Sequence, residues 1–100
     1  MGKLVRDRIP EIMASAGLTP ETRILDTLEY LDALFEKLIE EAQELRDANA
    51  SQRLEEAADV LEVFNTILTN LGYTVSDVAA AATVKREQRG GFTERVWLGS

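Results

Sequence analysis

The sequence contains no cysteine and no histidine. It therefore has no disulfide, no thiolate nucleophile and no Cys/His zinc site, and serine–histidine catalysis is excluded because its general base is missing. Acid–base chemistry would fall to carboxylates, lysine or water. No apolar run approaches the ~20 residues of a membrane-spanning helix. Charged residues interrupt the start of the chain, where a signal peptide would have its apolar core. We therefore expect a cytoplasmic protein with no membrane partner.

Positive charge is also scarce, with 11 basic against 18 acidic residues and a net charge of −7. Such a surface repels duplex DNA, so we expect no duplex nucleic acid partner, although a metal cation can still mediate nucleotide binding. An apolar fraction of 45% excludes a disordered chain. A chain of 100 residues predicts a single domain over 1–100. Small domains bury a modest share of their surface, which makes an oligomer plausible.

Two stretches with hydrophobic residues at helical spacing predict long helices over 28–47 and 52–71. Asp26 and Glu29 have the spacing of a capping box before the first helix. Ser51 is a candidate N-cap for the second. Because the loop between these helices is short, we expect them to be antiparallel neighbours.

Two further helices flank this pair. Pro10 and Gly17 bracket a brief one, and another is predicted from Thr74, with Asp77 three residues on, to the glycine pair that starts at Gly90. The fold class is therefore all-α, an antiparallel bundle of about four helices with short extended N- and C-terminal arms. The aromatic residues are expected to pack in the core, with stacking on a nucleotide base as their alternative role: Tyr30, Tyr73, Phe92 and Trp97.

Two carboxylate pairs with i,i+3 spacing lie on the two long helices. Glu41 and Glu44 share one face of the first, and Glu56 and Asp59 share one face of the second. At about 100° per residue, Glu56 falls within the apolar arc of its helix and Asp59 at the border of that arc. Glu41 falls about 20° outside the apolar arc of the first helix, with Glu44 further out. Glu40 falls on the opposite, solvent side.

A carboxylate directed at a packed interface is costly unless it is paired or binds a metal. Oxygen ligands without histidine select hard cations, here Mg²⁺, with Mn²⁺ as a second possibility. The alternative is that these acids are solvated, and Lys37 with Glu41 would then be a surface i,i+4 pair. The intrusion of Glu56 on an apolar face favours the metal site.

Basic residues near both ends of the chain could bind phosphates. Lys85 and Arg89 have i,i+4 spacing on the last helix, and Lys3 and Arg6 belong to a basic group at the start of the chain. The alternatives are compensation of the helix dipole for the C-terminal group and ion pairing with this acidic chain for the N-terminal group.

Two acidic motifs follow one another along the sequence, first Glu40-Glu41-x-x-Glu44 and then Glu56-x-x-Asp59. The pattern resembles the signature of the all-α nucleoside triphosphate pyrophosphohydrolases, the MazG-like superfamily, which includes phosphoribosyl-ATP pyrophosphohydrolase and the dimeric dUTPases. Three segments are similar to one small stand-alone branch, so that the resemblance covers nearly the whole chain: Lys3–Pro10, Ala57–Val63 and Lys85–Phe92.

The resemblance implies Mg²⁺-dependent hydrolysis of a nucleoside triphosphate to the monophosphate and pyrophosphate, as in the removal of non-canonical nucleotides, by a homodimer or homotetramer. The implied metal ligands are Glu41, Glu44, Glu56 and Asp59. Glu40 matches the leading acidic position that orients water, and Glu40 and Glu41 are the implied catalytic residues. The implied phosphate contacts are Lys85 and Arg89. Two alternatives remain: a phosphoribosyl-ATP pyrophosphohydrolase of histidine biosynthesis, and a non-catalytic helical dimerisation module.

Overall fold

In the computed structural model, which describes residues 2–99, four α-helices and no β-strand are found among the described residues. The helices are α1 (Ile9–Ser15), α2 (Thr27–Asp47), α3 (Arg53–Leu71) and α4 (Val75–Arg89). The prediction of an all-α fold with about four helices is confirmed. None of the helices in the described part of the chain is long and apolar enough to cross a membrane.

The start of α2 is defined by the predicted capping box. The Asp26 carboxylate accepts a hydrogen bond from the backbone N–H of Glu29 at 2.9 Å, and the Glu29 carboxylate accepts one from the Asp26 N–H at 3.3 Å. Arg23 donates to the same Glu29 carboxylate at 2.8 Å. This hydrogen bond, followed by the one from Asp26, lowers the pKa of Glu29 to about 2. These contacts satisfy N–H groups at the start of α2 that have no partner within the helix.

The connection between α2 and α3 is a tight turn over residues 48–52. α3 begins at Arg53, one residue later than predicted. The Ser51 hydroxyl donates to Asn49 Oδ1 at 2.8 Å within the turn, so the expected N-cap role of Ser51 is replaced by a contact that closes the loop. The turn brings the end of α2 beside the start of α3, and the two helices are antiparallel neighbours as expected.

The start and end of α4 also follow the sequence signals. Thr74 Oγ1 accepts from the backbone N–H of Asp77 at 3.0 Å, and Asp77 accepts from the Thr74 N–H at 3.1 Å. The hydrogen bond from the Thr74 N–H is the main reason why the pKa of Asp77 is lowered. α4 ends where Gly90 takes a φ of 79°, a conformation that favours glycine.

The described residues form two compact units, 2–67 and 68–99. The first contains the N-terminal segment, α1, α2 and most of α3. The second contains the last turn of α3, α4 and the C-terminal tail. All five acidic residues singled out above, together with Lys3 and Arg6, lie in the first unit, whereas Lys85 and Arg89 lie in the second.

Few apolar side chains are buried within one copy of this chain. Among the described residues, Leu34, Ile67 and Leu68 are the buried apolar ones. Core packing of the aromatic residues is wrong for Tyr73, Phe92 and Trp97, of which the last two are 99% and 90% exposed. Phe92 and Trp97 lie in the C-terminal tail, which forms no helix or strand and so has no regular face through which to bury them. Tyr73 lies in the loop between α3 and α4. Tyr30, on α2, is half-buried.

Candidate metal centre

Three carboxylates from α2 and α3 converge in the first unit. Glu41, Glu56 and Asp59 each place one carboxylate oxygen within 4.8 Å of the other two. Glu41 is buried, and Glu56 and Asp59 are half-buried. The turn between α2 and α3 therefore brings Glu41 of the first predicted pair to both members of the second pair. Glu44, the other member of the first pair, is not part of this group.

Glu41 is the most buried of these acids, with 6% of its surface exposed. Its Oε1 lies 3.3 Å from Lys37 Nζ, whereas its buried Oε2 has no hydrogen-bond partner among the described residues. Burial raises the pKa of Glu41, the neighbouring Glu44 raises it further, and Lys37 opposes the shift. The expected surface pair of Lys37 and Glu41 is thus present, but its acidic member is buried because α3 brings Glu56 and Asp59 against this edge of α2.

Glu56 lies where the helical periodicity predicted, at the interface of α3. Its Oε2 is also buried and without a hydrogen-bond partner in the described part of the chain. Buried acceptors without a partner are costly, and neighbouring carboxylates repel one another. A divalent cation would relieve both effects for Glu41 and Glu56, and the all-oxygen donor set fits Mg²⁺ or Mn²⁺. The residues present therefore fit the predicted ion.

A second group of carboxylates shares Glu41. Glu40, Glu41 and Glu44 each place one oxygen within 4.8 Å of the others. Glu40, which the sequence places on the solvent side of α2, is half-buried with 41% of its side chain exposed, and its Oε1 lies 3.6 Å from Lys37 Nζ. A glutamate side chain is long enough to turn toward a basic side chain three residues earlier on the same helix, here Lys37. Its direction therefore does not follow from the helical wheel alone. Glu44 is exposed.

The basic residues differ in what they contact. Arg6 Nη2 donates to Asp59 Oδ1 at 2.6 Å, which brings the predicted phosphate-binding Arg6 to the predicted metal ligand Asp59. Lys3 is exposed near the start of the chain, and Lys85 and Arg89 are exposed on α4. Lys37 was not predicted as a site residue. Its i+3 and i+4 spacing to Glu40 and Glu41 was the signal that could have found it.

A groove of about 420 Å³ lies in the first unit. Among the described residues, its lining includes none of the clustered carboxylates but does include two of the basic residues that contact them. Arg6 and Lys37, which contact the acids, also line this groove. Its apolar lining includes Tyr30, Leu34 and Val63. The groove was not foreseen from the sequence because its walls come from the N-terminal segment, α1, α2 and α3 together.

Comparison with known proteins gives a partial match. A curated relative, an uncharacterized protein of Mycolicibacterium smegmatis, is 53% identical over 49 residues, which are 49% of this chain and 50% of that protein. The chain thus spans about half the length of this curated relative. No family model matches the chain, and no solved structure matches it.

Proposed function

We propose that the protein is a Mg²⁺-dependent nucleoside triphosphate pyrophosphohydrolase, which converts a nucleoside triphosphate or a related nucleotide to the monophosphate and pyrophosphate. The observation that carries this proposal is the convergence of Glu41 and Glu56 with Asp59, because two of these carboxylates keep a buried oxygen without a hydrogen-bond partner among the described residues. The resemblance of the acidic motifs to the MazG-like superfamily supplies the reaction class.

In this proposal the metal ligands are the four predicted acids: Glu41, Glu44, Glu56 and Asp59. A bound Mg²⁺ would neutralise charge on the phosphates and lower the pKa of a bound water. Glu40 orients the attacking water and takes up its proton. As the bond from the water oxygen to phosphorus forms, the bond from phosphorus to the pyrophosphate oxygen breaks and pyrophosphate leaves.

Lys3 and Arg6, in the same unit as the carboxylates, would bind the phosphate chain. For Lys85 and Arg89, the same role rests on the family resemblance alone. Arg6 and Lys37 line both the groove and the edge of the cluster, so a nucleotide in the groove would extend its phosphates toward the carboxylates. We place the reaction in the cytoplasm, where it would remove non-canonical nucleotides. Phosphoribosyl-ATP is the alternative substrate.

The test is pyrophosphate release from a panel of canonical and non-canonical nucleoside triphosphates and phosphoribosyl-ATP, with Mg²⁺ or with EDTA. We expect activity that requires Mg²⁺ and that falls at least about 100-fold in Glu56→Gln, since loss of even an outer-shell partner of a metal costs about 10–100-fold. Glu55→Gln is the matched control, because Glu55 is the exposed neighbour on the same helix. Equal turnover by Glu56→Gln and the wild type would remove Glu56 from the mechanism.

The second candidate function, a helical self-association module, is favoured by an exposed apolar face on α3. Leu54, Leu61 and Phe64 are 82%, 57% and 38% exposed, and their spacing of seven and three residues places them on one side of the helix. An exposed apolar patch is typical of a protein–protein interface. The same face supports a homodimer or homotetramer of the enzyme, so the two candidates differ in Mg²⁺-dependent pyrophosphate release and not in assembly.

Leu61→Glu is expected to convert the oligomer to a monomer, because it introduces a charge into the apolar interface. Light scattering coupled to size-exclusion chromatography at micromolar concentration would measure the mass. Gln52→Glu adds the same charge at an exposed position outside α3 and should leave the mass unchanged. A wild type that already elutes as a monomer would contradict self-association through this face.

A further inference from the structure

The N-terminal segment places a cation on the candidate metal centre. Arg6 lies in a stretch without regular secondary structure before α1, and its guanidinium holds Asp59 at 2.6 Å. The hydrogen bond to Asp59 is the main reason why the pKa of Arg6 is raised, and the charges of Glu62 and Glu41 contribute as well. The positive charge of Arg6 is therefore felt by more than one member of the acidic cluster.

Lys37 and Arg6 contact the cluster in different ways. Lys37 belongs to α2 and meets Glu41 through i,i+4 spacing on the same helix, at Oε1, which leaves Glu41 Oε2 free for another ligand. Arg6 reaches its partner from 53 positions away in the sequence, and both side chains of the pair are substantially exposed, 58% for Arg6 and 38% for Asp59. The Arg6–Asp59 contact can therefore open without any change in the helix pair.

We propose that Arg6 couples the binding of a divalent cation to the binding of a phosphate chain at this site. Without substrate, Arg6 donates a hydrogen bond to one oxygen of Asp59, and its positive charge repels the incoming cation. A phosphate chain offers the guanidinium a replacement anion with matching geometry. Cation and phosphates therefore favour each other through Arg6, and this coupling is reciprocal.

This inference rests on the proposed metal site and deepens it, because it predicts opposite effects of one substitution on two ligands. The full chain would be titrated calorimetrically with Mn²⁺ alone and with the Mn²⁺ complex of inorganic tripolyphosphate. Arg6→Gln is expected to bind Mn²⁺ alone about two- to fivefold more tightly, the range of an exposed ion pair. It is expected to bind the tripolyphosphate complex about tenfold more weakly, because a charge-assisted hydrogen bond is lost.

Two variants separate this role from a general change in charge. Arg23→Gln removes the same charge from the first unit, but Arg23 pairs with Glu29 at 2.8 Å and does not line the groove, so both affinities should stay within about twofold of the wild type. Arg6→Lys keeps the positive charge but lacks the planar guanidinium with its paired N–H donors. Its affinity for Mn²⁺ alone should be close to that of the wild type. Its binding of the tripolyphosphate complex should be only partly restored.

The outcomes are distinguishable. If the wild type binds Mn²⁺ and Arg6→Gln binds both ligands as the wild type does, the coupling is overturned and the metal site stands. If Arg6→Gln binds both ligands more weakly than the wild type does, Arg6 supports the fold of the site and does not compete with the cation. That result also overturns the coupling. If neither protein binds Mn²⁺, the proposed metal site fails and the coupling fails with it.

Discussion

Replacing Glu41 by glutamine is expected to raise the melting temperature of the metal-free protein by several degrees at pH 7. The wild-type carboxylate is 6% exposed and lies among other acids, so its ionised form is destabilised by desolvation and by repulsion. Glutamine keeps the shape and removes the charge. For a domain of this size, about 1 kcal/mol corresponds to about 4–8 °C.

The effect should depend on pH in a defined direction. Because burial raises the pKa of Glu41 above its ordinary value of 4.5, the folded state holds this proton more tightly than the unfolded state does. The stability that the proton contributes is complete below pH 4.5 and is lost as the pH rises through the raised folded pKa. The difference between Glu41→Gln and the wild type should be small at low pH and grow toward neutrality, as measured by thermal unfolding in EDTA.

Saturating Mg²⁺ should reverse this order. A ligand at 100 times its dissociation constant stabilises the native state by about 2.7 kcal/mol. The wild type should gain this stabilisation, whereas Glu41→Gln should lose most of it with the loss of a buried ligand. Glu36→Gln, an exposed change on the same helix, should keep the wild-type response. A fall in the melting temperature of metal-free Glu41→Gln would mean that the ion pair with Lys37 outweighs the cost of burial.

Leu34→Ala is expected to destabilise the first unit strongly. Leu34 is 3% exposed on α2, and removal of a buried leucine side chain costs about 2–5 kcal/mol through lost burial and the remaining cavity. This is a large part of the roughly 5–15 kcal/mol that stabilises a typical domain. Chemical denaturation at low protein concentration would measure the loss.

The matched control for Leu34→Ala is Leu28→Ala on the same helix. Leu28 is 82% exposed, so its truncation should change the free energy of unfolding by less than about 0.5 kcal/mol. Equal losses in the free energy of unfolding for the two variants would contradict the burial of Leu34 and the exposure of Leu28 in a single copy of the chain. A large effect of Leu28→Ala that grows with protein concentration would instead place Leu28 in an interface between copies.

The helices could be predicted because their signals are local. The Asp26–Glu29 and Thr74–Asp77 capping boxes satisfy backbone groups within one turn, so neither needs help from the rest of the molecule. The position of Glu56 on the apolar face of α3 follows from helical periodicity alone. The predicted helix boundaries agree with the structure to within about two residues, which is the usual uncertainty of a helix end.

The direction of long polar side chains could not be predicted in the same way. The carboxylate of Glu40 lies near Lys37, Glu41 and Glu44, although the helical wheel places this residue on the solvent side of α2. Ser51 donates to Asn49 in the turn and does not cap α3. In both cases several partners lie within reach of the side chain, and the arrangement of neighbouring groups selects one of them.

The amino-acid sequence by itself determined the all-α class, the starts of the helices and the two acidic pairs, because each depends on residues within a few positions of one another. Only the tertiary structure decided that Glu41 is the buried acid and that Arg6 holds Asp59. Burial and ion pairing depend on which distant segments meet, and a helix pattern does not contain that information. The candidate metal centre is therefore encoded locally as two helix faces and assembled by the turn that brings them together.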